Sequence, residues 1–321
     1  MHFLTWCISL SSSLILQYFG TSPWPSPVSI ASECNGDPLF LALYRELTHR
    51  HWHAVSRPSV RDRMEGWDVY RELFDEILME ADDGNYKVSE GEQHKFFILP
   101  QWTFDILHEF VYQFQGFCQV RTTLHAQAIK YGMLGEPGPD GEPNIIPSSK
   151  APHHVVENAT TLAQQGGKDA WAAETVLYYL HRLVAIGTRP DCNVPAYQYL
   201  GLFASVALSR LECLVADYSS SLQVLAPVLE SNLVVAKHDQ DTKSALEVIH
   251  SVFAARLSLT YHAGISFLML RRYKDAVKVL GELCAYMQRG FKVRFDIISF
   301  VGSAGLTIIR IPPLFTWLPF L

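Results

Sequence analysis

The chain has 321 residues, of which 49% are hydrophobic and 18% charged, enough for one large or two medium domains with a substantial core. A formal charge of −6 argues against the chain as a whole tracking a phosphate backbone, although a local basic patch stays open. Cysteines at 7, 34, 118, 192, 213 and 284 form no CxxC pair and keep no regular spacing, so neither a zinc knuckle nor a disulfide framework is supported, and reduced, mostly buried thiols are expected.

Residues 3–19 are apolar and serine-rich like a secretory h-region, yet no Lys or Arg precedes them, and the first is Arg45. If the chain were secreted, Asn158-Ala159-Thr160 would become a glycosylation acceptor. After the Pro- and Ser-rich residues 21–32, Asp37-Pro38 has the chemistry of a helix start, and a helix follows with its apolar residues on one side. His49, His51 and His53 lie on it. Positions 49 and 53 share a face, but nothing nearby in sequence supplies the further ligands that a metal needs.

A second helix is expected over residues 59–80, with Met64, Trp67, Phe74, Ile77 and Leu78 inward and Arg61, Asp62, Asp68, Arg71 and Glu72 outward. The polar loop 81–95 follows. Its Asp82-Asp83 pair resembles the start of a diphosphate-binding DDxxD motif, but Asn85 and Tyr86 stand where the third acid would be, so it reads as a solvated turn. Residues 99–119 then hold the densest aromatic stretch. Trp102, Ile106, Phe110, Phe114 and Phe117 recur at helical steps, Leu107 and Val111 form a second row, and Asp105, Glu109 and Gln113 take the opposite face. Such a helix, continuing to about Lys130, is a packing element. His108-Glu109 opens like a zinc-protease HExxH, but Tyr112 occupies the second ligand position.

Residues 132–167 are dense in Pro and Gly and are expected to form a linker or long surface loop without regular structure. Helical periodicity resumes at Asp169, with Trp171, Val176, Leu177, Leu180, Leu183 and Val184 facing one way, and a loop at 187–195 follows. The next part repeats itself: residues 217–225 align with 272–280, each after a long apolar helix. The pattern predicts two αα-hairpins in which a tyrosine, Tyr218 or Tyr273, plugs the crook and a small residue, Ser221 or Ala276, lets the helices approach. The copies are 55 residues apart, so the array is irregular. Arg271 and Arg272 close the preceding helix, where cations suit the exposed carbonyls; they are the two candidate partner-binding residues, for a protein or RNA phosphate. Residues 297–321 are apolar, but Arg310 and Pro312-Pro313 interrupt them short of a membrane-spanning length.

These blocks carry a resemblance. PWP at residues 23–25, LYRELTHRH at 43–51, the aromatic block at 99–119, the apolar helix at 171–184, residues 202–218 and LMLRRYKDA at 268–276 together resemble the subunit L family of eukaryotic translation initiation factor 3, over roughly residues 18–289. The resemblance implies an all-α fold of irregular tetratricopeptide-like helical hairpins, leading in that family into a PCI module finished by a winged helix. It also implies a non-catalytic cytoplasmic scaffold that assembles with other subunits of the factor on the small ribosomal subunit and supports mRNA recruitment. RNA contact would then be indirect, with no cofactor, metal or small-molecule substrate. In the family positions 49 and 53 are usually aromatic, and Ala207 and Ala216 stand where glycines are common, at little expected cost.

The expected organisation is an irregular N-terminal segment 1–36, N-terminal helical repeats 37–131, the linker 132–168, tetratricopeptide-like repeats 169–289 and an atypical apolar tail 290–321. Both ends depart from the family. The apolar residues 1–17 and the tail are expected to be gene-model or splicing artefacts, and the winged helix to be missing, which would weaken entry into the complex. The competing reading is a secreted or membrane-tethered helical interaction protein. No GxSxG, GxGxxG or P-loop supports an enzyme, and Gly302-Ser303-Ala304-Gly305 lacks the spacing of a nucleophile elbow.

Overall fold

The computed structural model describes residues 24–89, 96–137, 143–163, 167, 169–229, 234–235 and 243–303, with side chains described as far as residue 288. The signal-like residues 1–17 and the last residues of the apolar tail, 304–321, lie outside them. The rest is an all-α solenoid of stacked helical hairpins. Its helices are α1 (Pro27–Ala31), α2 (Pro38–Val55), α3 (Val60–Glu80), α4 (Pro100–Lys130), α5 (His153–Ala163), α6 (Ala173–Gly187), α7 (Pro195–Leu214), α8 (Tyr218–Leu229), α9 (Ala245–Ser251), α10 (Phe253–Met269) and α11 (Tyr273–Ser303). Two minor antiparallel pairs, β1 (Leu134–Pro137) with β2 (Pro143–Ile145) and β3 (Val234–Val235) with β4 (Lys243–Ser244), complete it.

The helix starts follow capping chemistry. The Asp37 carboxylate accepts the Phe40 N–H at 2.9 Å, with Pro38 in the first turn. Ser59 and Asp62 form a reciprocal capping box on α3, as Ser244 and Glu247 do on α9. Pro100 opens α4, whose 31 residues run on to Lys130 as the periodicity implies. Beyond α3, residues 81–85 form one wide turn in which Gly84 takes φ +91°, and Tyr86 then donates from its hydroxyl to Asp191, 3.1 Å away in the loop between α6 and α7.

The main core lies where α3, α4 and the start of α6 meet. Phe110, fully buried, packs against Phe74 edge to face with ring centroids 4.8 Å apart, and against Tyr70 and Trp171 at 5.4 Å each. Trp171 holds φ +56° and is anchored by its indole N–H, which donates to the Arg63 carbonyl at 2.8 Å; Arg121 donates to the carbonyls of Gly167 and Ala170 beside it. The PWP block has a similar anchoring job, since Tyr44 donates to the Pro25 carbonyl at 2.7 Å and the Trp24 ring leans on Tyr44 and His51. At the α6/α7 crossing, a Cβ on Gly187 would meet Gly201 Cα and the Tyr197 carbonyl at 2.5 Å, so only glycine permits this approach.

The stretch 132–167 corrects the expectation of no regular structure. It holds the β1/β2 hairpin and the 11-residue α5, which pack on α4 through a satellite cluster of Ala128, Met133, Val155 and Ala159. Gly132 leads into the hairpin at φ +64°, while Val155, Ala159 and Leu162 supply a short helical stripe. Asn158 of the sequon sits on α5. Both repeat copies open helices as expected, α8 and α11, but the second tyrosine does not plug its hairpin: Tyr273 is 58% exposed, whereas Tyr218 is partly buried. The small residues do fill the crossings. Ser221, fully buried, lies 2.8 Å from Ser209 of α7 and 3.1 Å from Ser266 of α10, hydroxyl to hydroxyl. In the second hairpin Ala276 is buried and Leu280 presses onto Gly264 of α10.

Candidate functional site

Chemistry-bearing side chains gather in two places, one inside the solenoid and one at its edge. The interior site lies between α2 and α4. Glu46 and Arg50, one turn apart on α2, form an ion pair of 2.8 Å with Glu46 wholly buried, and Arg50 lies 3.8 Å from Asp105 of α4. The Tyr70 hydroxyl donates to Glu46 at 3.3 Å. Next along the seam, His53 stands 3.5 Å from Glu109, which also accepts from the Gln113 amide at 3.1 Å. Asp105, Glu109 and Gln113 therefore do share a face of α4, but α2 covers it.

Burial sets the protonation of this seam. Desolvation raises the carboxyl groups of Glu46, Asp105 and Glu109 above their ordinary range, and Arg50 offsets part of that for each. Desolvation also lowers His53 to about 4, helped by the positive charge of Arg63, so the ring is neutral at pH 7. One guanidinium among three carboxylates ties α2 to α4. A second polar knot joins α4 to α7: the buried Arg210 reaches the Gln115 side-chain oxygen and lies 3.2 Å from Nδ1 of His108, which burial and the guanidinium hold down at about 3. His108 is thus a neutral partner of Arg210, stacked on Phe104, which accounts for the HE dipeptide in structural terms.

The other sequence candidates separate. The His49 and His53 rings are 6.0 Å apart and serve the interior seam, whereas His51 faces Trp24. Among the described residues no group of three or more His, Cys, Asp or Glu is placed to hold a metal ion. Asp82 is not merely solvated, because both its oxygens take the Arg182 guanidinium nitrogen at 2.8 and 2.9 Å, tying the turn after α3 to α6. The described cysteines are free thiols, yet only Cys192 is fully buried, and Cys284 is exposed.

The edge site is the turn from α10 to α11. Arg272 pairs with Asp275 at 2.7 Å and lies over the Phe267 ring, 4.6 Å from its centroid, so local contacts hold its charge. Arg271 is exposed and carries the turn itself at φ +61°. Its N–H donates to the Leu268 carbonyl at 3.0 Å and that of Arg272 to the Phe267 carbonyl at 2.8 Å, a left-handed helix stop. The first hairpin has the same stop, with Ala216 at φ +66° and the Asp217 N–H on the Glu212 carbonyl at 2.9 Å. The low cost expected for Ala216 is corrected accordingly, since a side chain in this region is strained. Around the second turn Leu268, Met269, Leu270, Tyr273 and Val277 are exposed apolar groups.

Residues 62–297 match the family model described as RNA polymerase I-associated factor PAF67. The chain belongs to the PAF67 family. This PAF67-family chain is also 27% identical over 281 residues to the eukaryotic translation initiation factor 3 subunit L of Nematostella vectensis, covering 85% of the chain and 46% of that protein. Against the subunit L of Mycosarcoma maydis it is 29% identical over 292 residues, covering 85% and 36%. Against that of Homo sapiens the figures are 28% over 286 residues, 87% and 44%. The chain thus spans less than half the length of each of these relatives. The resemblance drawn from the aromatic and LMLRRYKDA blocks is borne out by them. No helix of the described residues is long and apolar enough to cross a membrane.

Proposed function

We propose that this chain is a non-catalytic helical scaffold of the translation initiation factor 3 complex, working in the cytoplasm through protein surfaces. The observation that supports it most is similarity to subunit L proteins along 85–87% of the chain, on a solenoid whose buried polar groups bind one another. Other subunits of the complex and the small ribosomal subunit are the partners this reading names, with mRNA recruitment supported indirectly. Arg271 and its exposed apolar neighbours are the surface assigned to a partner, whereas Arg272 is engaged locally by Asp275.

The test is sucrose-gradient sedimentation of the tagged 321-residue chain expressed in cells, with immunoblots for other subunits of the factor. Recovery of a fraction of the chain with those subunits and the small ribosomal subunit supports the reading. Its absence from those fractions, or recovery as glycosylated, membrane-bound material, overturns it.

A further inference from the structure

Among the described residues α1, α4, α7 and α10 end on one geometry, and the first of these ends carries reactive chemistry. After α4, α7 and α10 the left-handed positions are Gly132, Ala216 and Arg271, and in each case the next N–H donates to the carbonyl five residues back. After α1 the same stop holds Asn35 at φ +55°, and the Gly36 N–H donates to the Ala31 carbonyl at 2.8 Å. Asparagine is the usual alternative to glycine in this conformation.

Asn35-Gly36 is also the only asparagine-glycine step in the sequence. Such a step is prone to deamidation, because glycine has no side chain to shield its nitrogen from the asparagine carboxamide. Little else shields this one. Asn35 is exposed, its carboxamide has no hydrogen bond among the described residues, and a Cβ on Gly36 would meet nothing within 4 Å. What restrains the reaction is the stop itself, which keeps the attacking nitrogen on the Ala31 carbonyl. That restraint is only as firm as α1, a helix of five residues in which Ile30 is the buried one, in a segment tied to α2 by the Tyr44 hydroxyl on the Pro25 carbonyl at 2.7 Å.

We propose that Asn35 is a site of spontaneous deamidation, gated by opening of the left-handed stop between α1 and α2, and that its isoaspartyl product releases α1. When the stop opens, the Gly36 nitrogen attacks Cγ of Asn35, the bond from Cγ to Nδ2 breaks, and ammonia leaves with the proton from the attacking nitrogen. A five-membered succinimide remains. Water opens it on one of two sides, so the net change is amide plus water to acid plus ammonia, with no oxidation or reduction. Cleavage between Cγ and the Gly36 nitrogen gives aspartate, which still tolerates the left-handed region. Cleavage between the main-chain carbonyl carbon of residue 35 and that nitrogen gives isoaspartate, which routes the main chain through Cβ and lengthens it by one methylene. The stop cannot re-form on the lengthened chain, and α1 loses its link to the α2 cap at Asp37.

Peptide mass spectrometry of the full 321-residue chain, aged at neutral pH and physiological temperature, tests this. The peptide spanning residues 35–36 should gain the mass of an amide-to-acid conversion, with the isoaspartyl form identified by fragmentation at Cβ. Conversion should be about ten-fold slower in the native chain than in guanidinium chloride, since only the open fraction of the stop reacts. Tyr44→Phe, which leaves the Pro25 carbonyl without its donor, should speed the native reaction about two- to ten-fold, the worth of one hydrogen bond. Asn35→Gly should abolish the conversion without lowering the thermal midpoint. Hydrogen exchange across residues 27–36 should be faster in the isoaspartyl fraction than in the aspartyl fraction. An unmodified Asn35 in the aged native chain, equal rates in native and denatured chains, indifference to Tyr44→Phe, or equal protection of the two products overturns the proposal.

Discussion

Ala207→Gly and Ala216→Gly are the same substitution in the same segment, α7 and its stop, and should move stability in opposite directions. Ala207 is buried inside the helix at ordinary helical angles, so glycine there loses about 1 kcal/mol of helix propensity and about 0.8 kcal/mol for a buried methyl. Ala216 sits just past the helix at φ +66°, where a side chain costs about 1–2 kcal/mol that glycine avoids. Glycine's greater freedom in the unfolded chain returns about 0.5–1 kcal/mol of that, leaving a net gain near 0.5–1 kcal/mol. Arg271→Gly, at φ +61°, should gain by the same mechanism. The stops lie in separate hairpins, so the two gains should add. Urea titration at 25 °C reads the differences directly, and a thermal scan should show each gain as about 1–3 °C. A midpoint that falls for Ala216→Gly, or moves the same way for Ala207→Gly, would refute the left-handed stop as the controlling feature.

Phe110→Ala should cost about 3–5 kcal/mol, toward the upper end because the rings of Phe74, Tyr70 and Trp171 around it are themselves buried and leave little room to collapse; an unchanged urea midpoint would contradict that packing. Arg50→Met leaves the buried Glu46 without its guanidinium and should cost about 3–5 kcal/mol at pH 7, with much of the loss recovered on adding Glu46→Leu, as a double-mutant cycle would measure. His53, at about 4, His108, at about 3, and His262, at about 4, are all depressed below the ordinary histidine value. Their unfolded forms take up protons first, so their contribution is complete above pH 6.5 and is lost as pH falls from there toward 4 and 3. The raised carboxyl groups of Glu46, Asp105 and Glu109 work in the opposite sense, gaining stability on protonation. His108→Gln keeps an acceptor near Arg210 without an ionisable ring, and should flatten stability against pH between 6 and 4 by about 1.4 kcal/mol per unit; an unchanged slope would show that His108 charges freely in the folded chain.

What the sequence made legible is what periodicity and capping control. The aromatic spacing of α4, the Asp37-Pro38 start of α2 and the 55-residue echo of one hairpin in the next all follow from residues read a few positions at a time. What a local reading does not supply is contacts made across the chain. Asp105, Glu109 and Gln113 form a polar face by sequence, and whether such a face meets water or other polar groups depends on α2, about 55 residues earlier. The available signal was on α2 itself, where Glu46, Arg50 and His53 form their own polar row among apolar residues. The tyrosine of the second hairpin, Tyr273, lies outside its crossing for a related reason. What fills the crossing is set by which helix surfaces can come closest, and Ser221 with Ser209, or Ala276 and Leu280 against Gly264, are smaller and closer than any ring could be.

The same logic locates function in this chain. Inside the solenoid Arg50 pairs with Glu46 and Asp105, and Arg210 with Gln115 and His108, so these groups fix the register of helices. On the scaffold reading proposed above, recognition falls to the exposed surfaces of these hairpins.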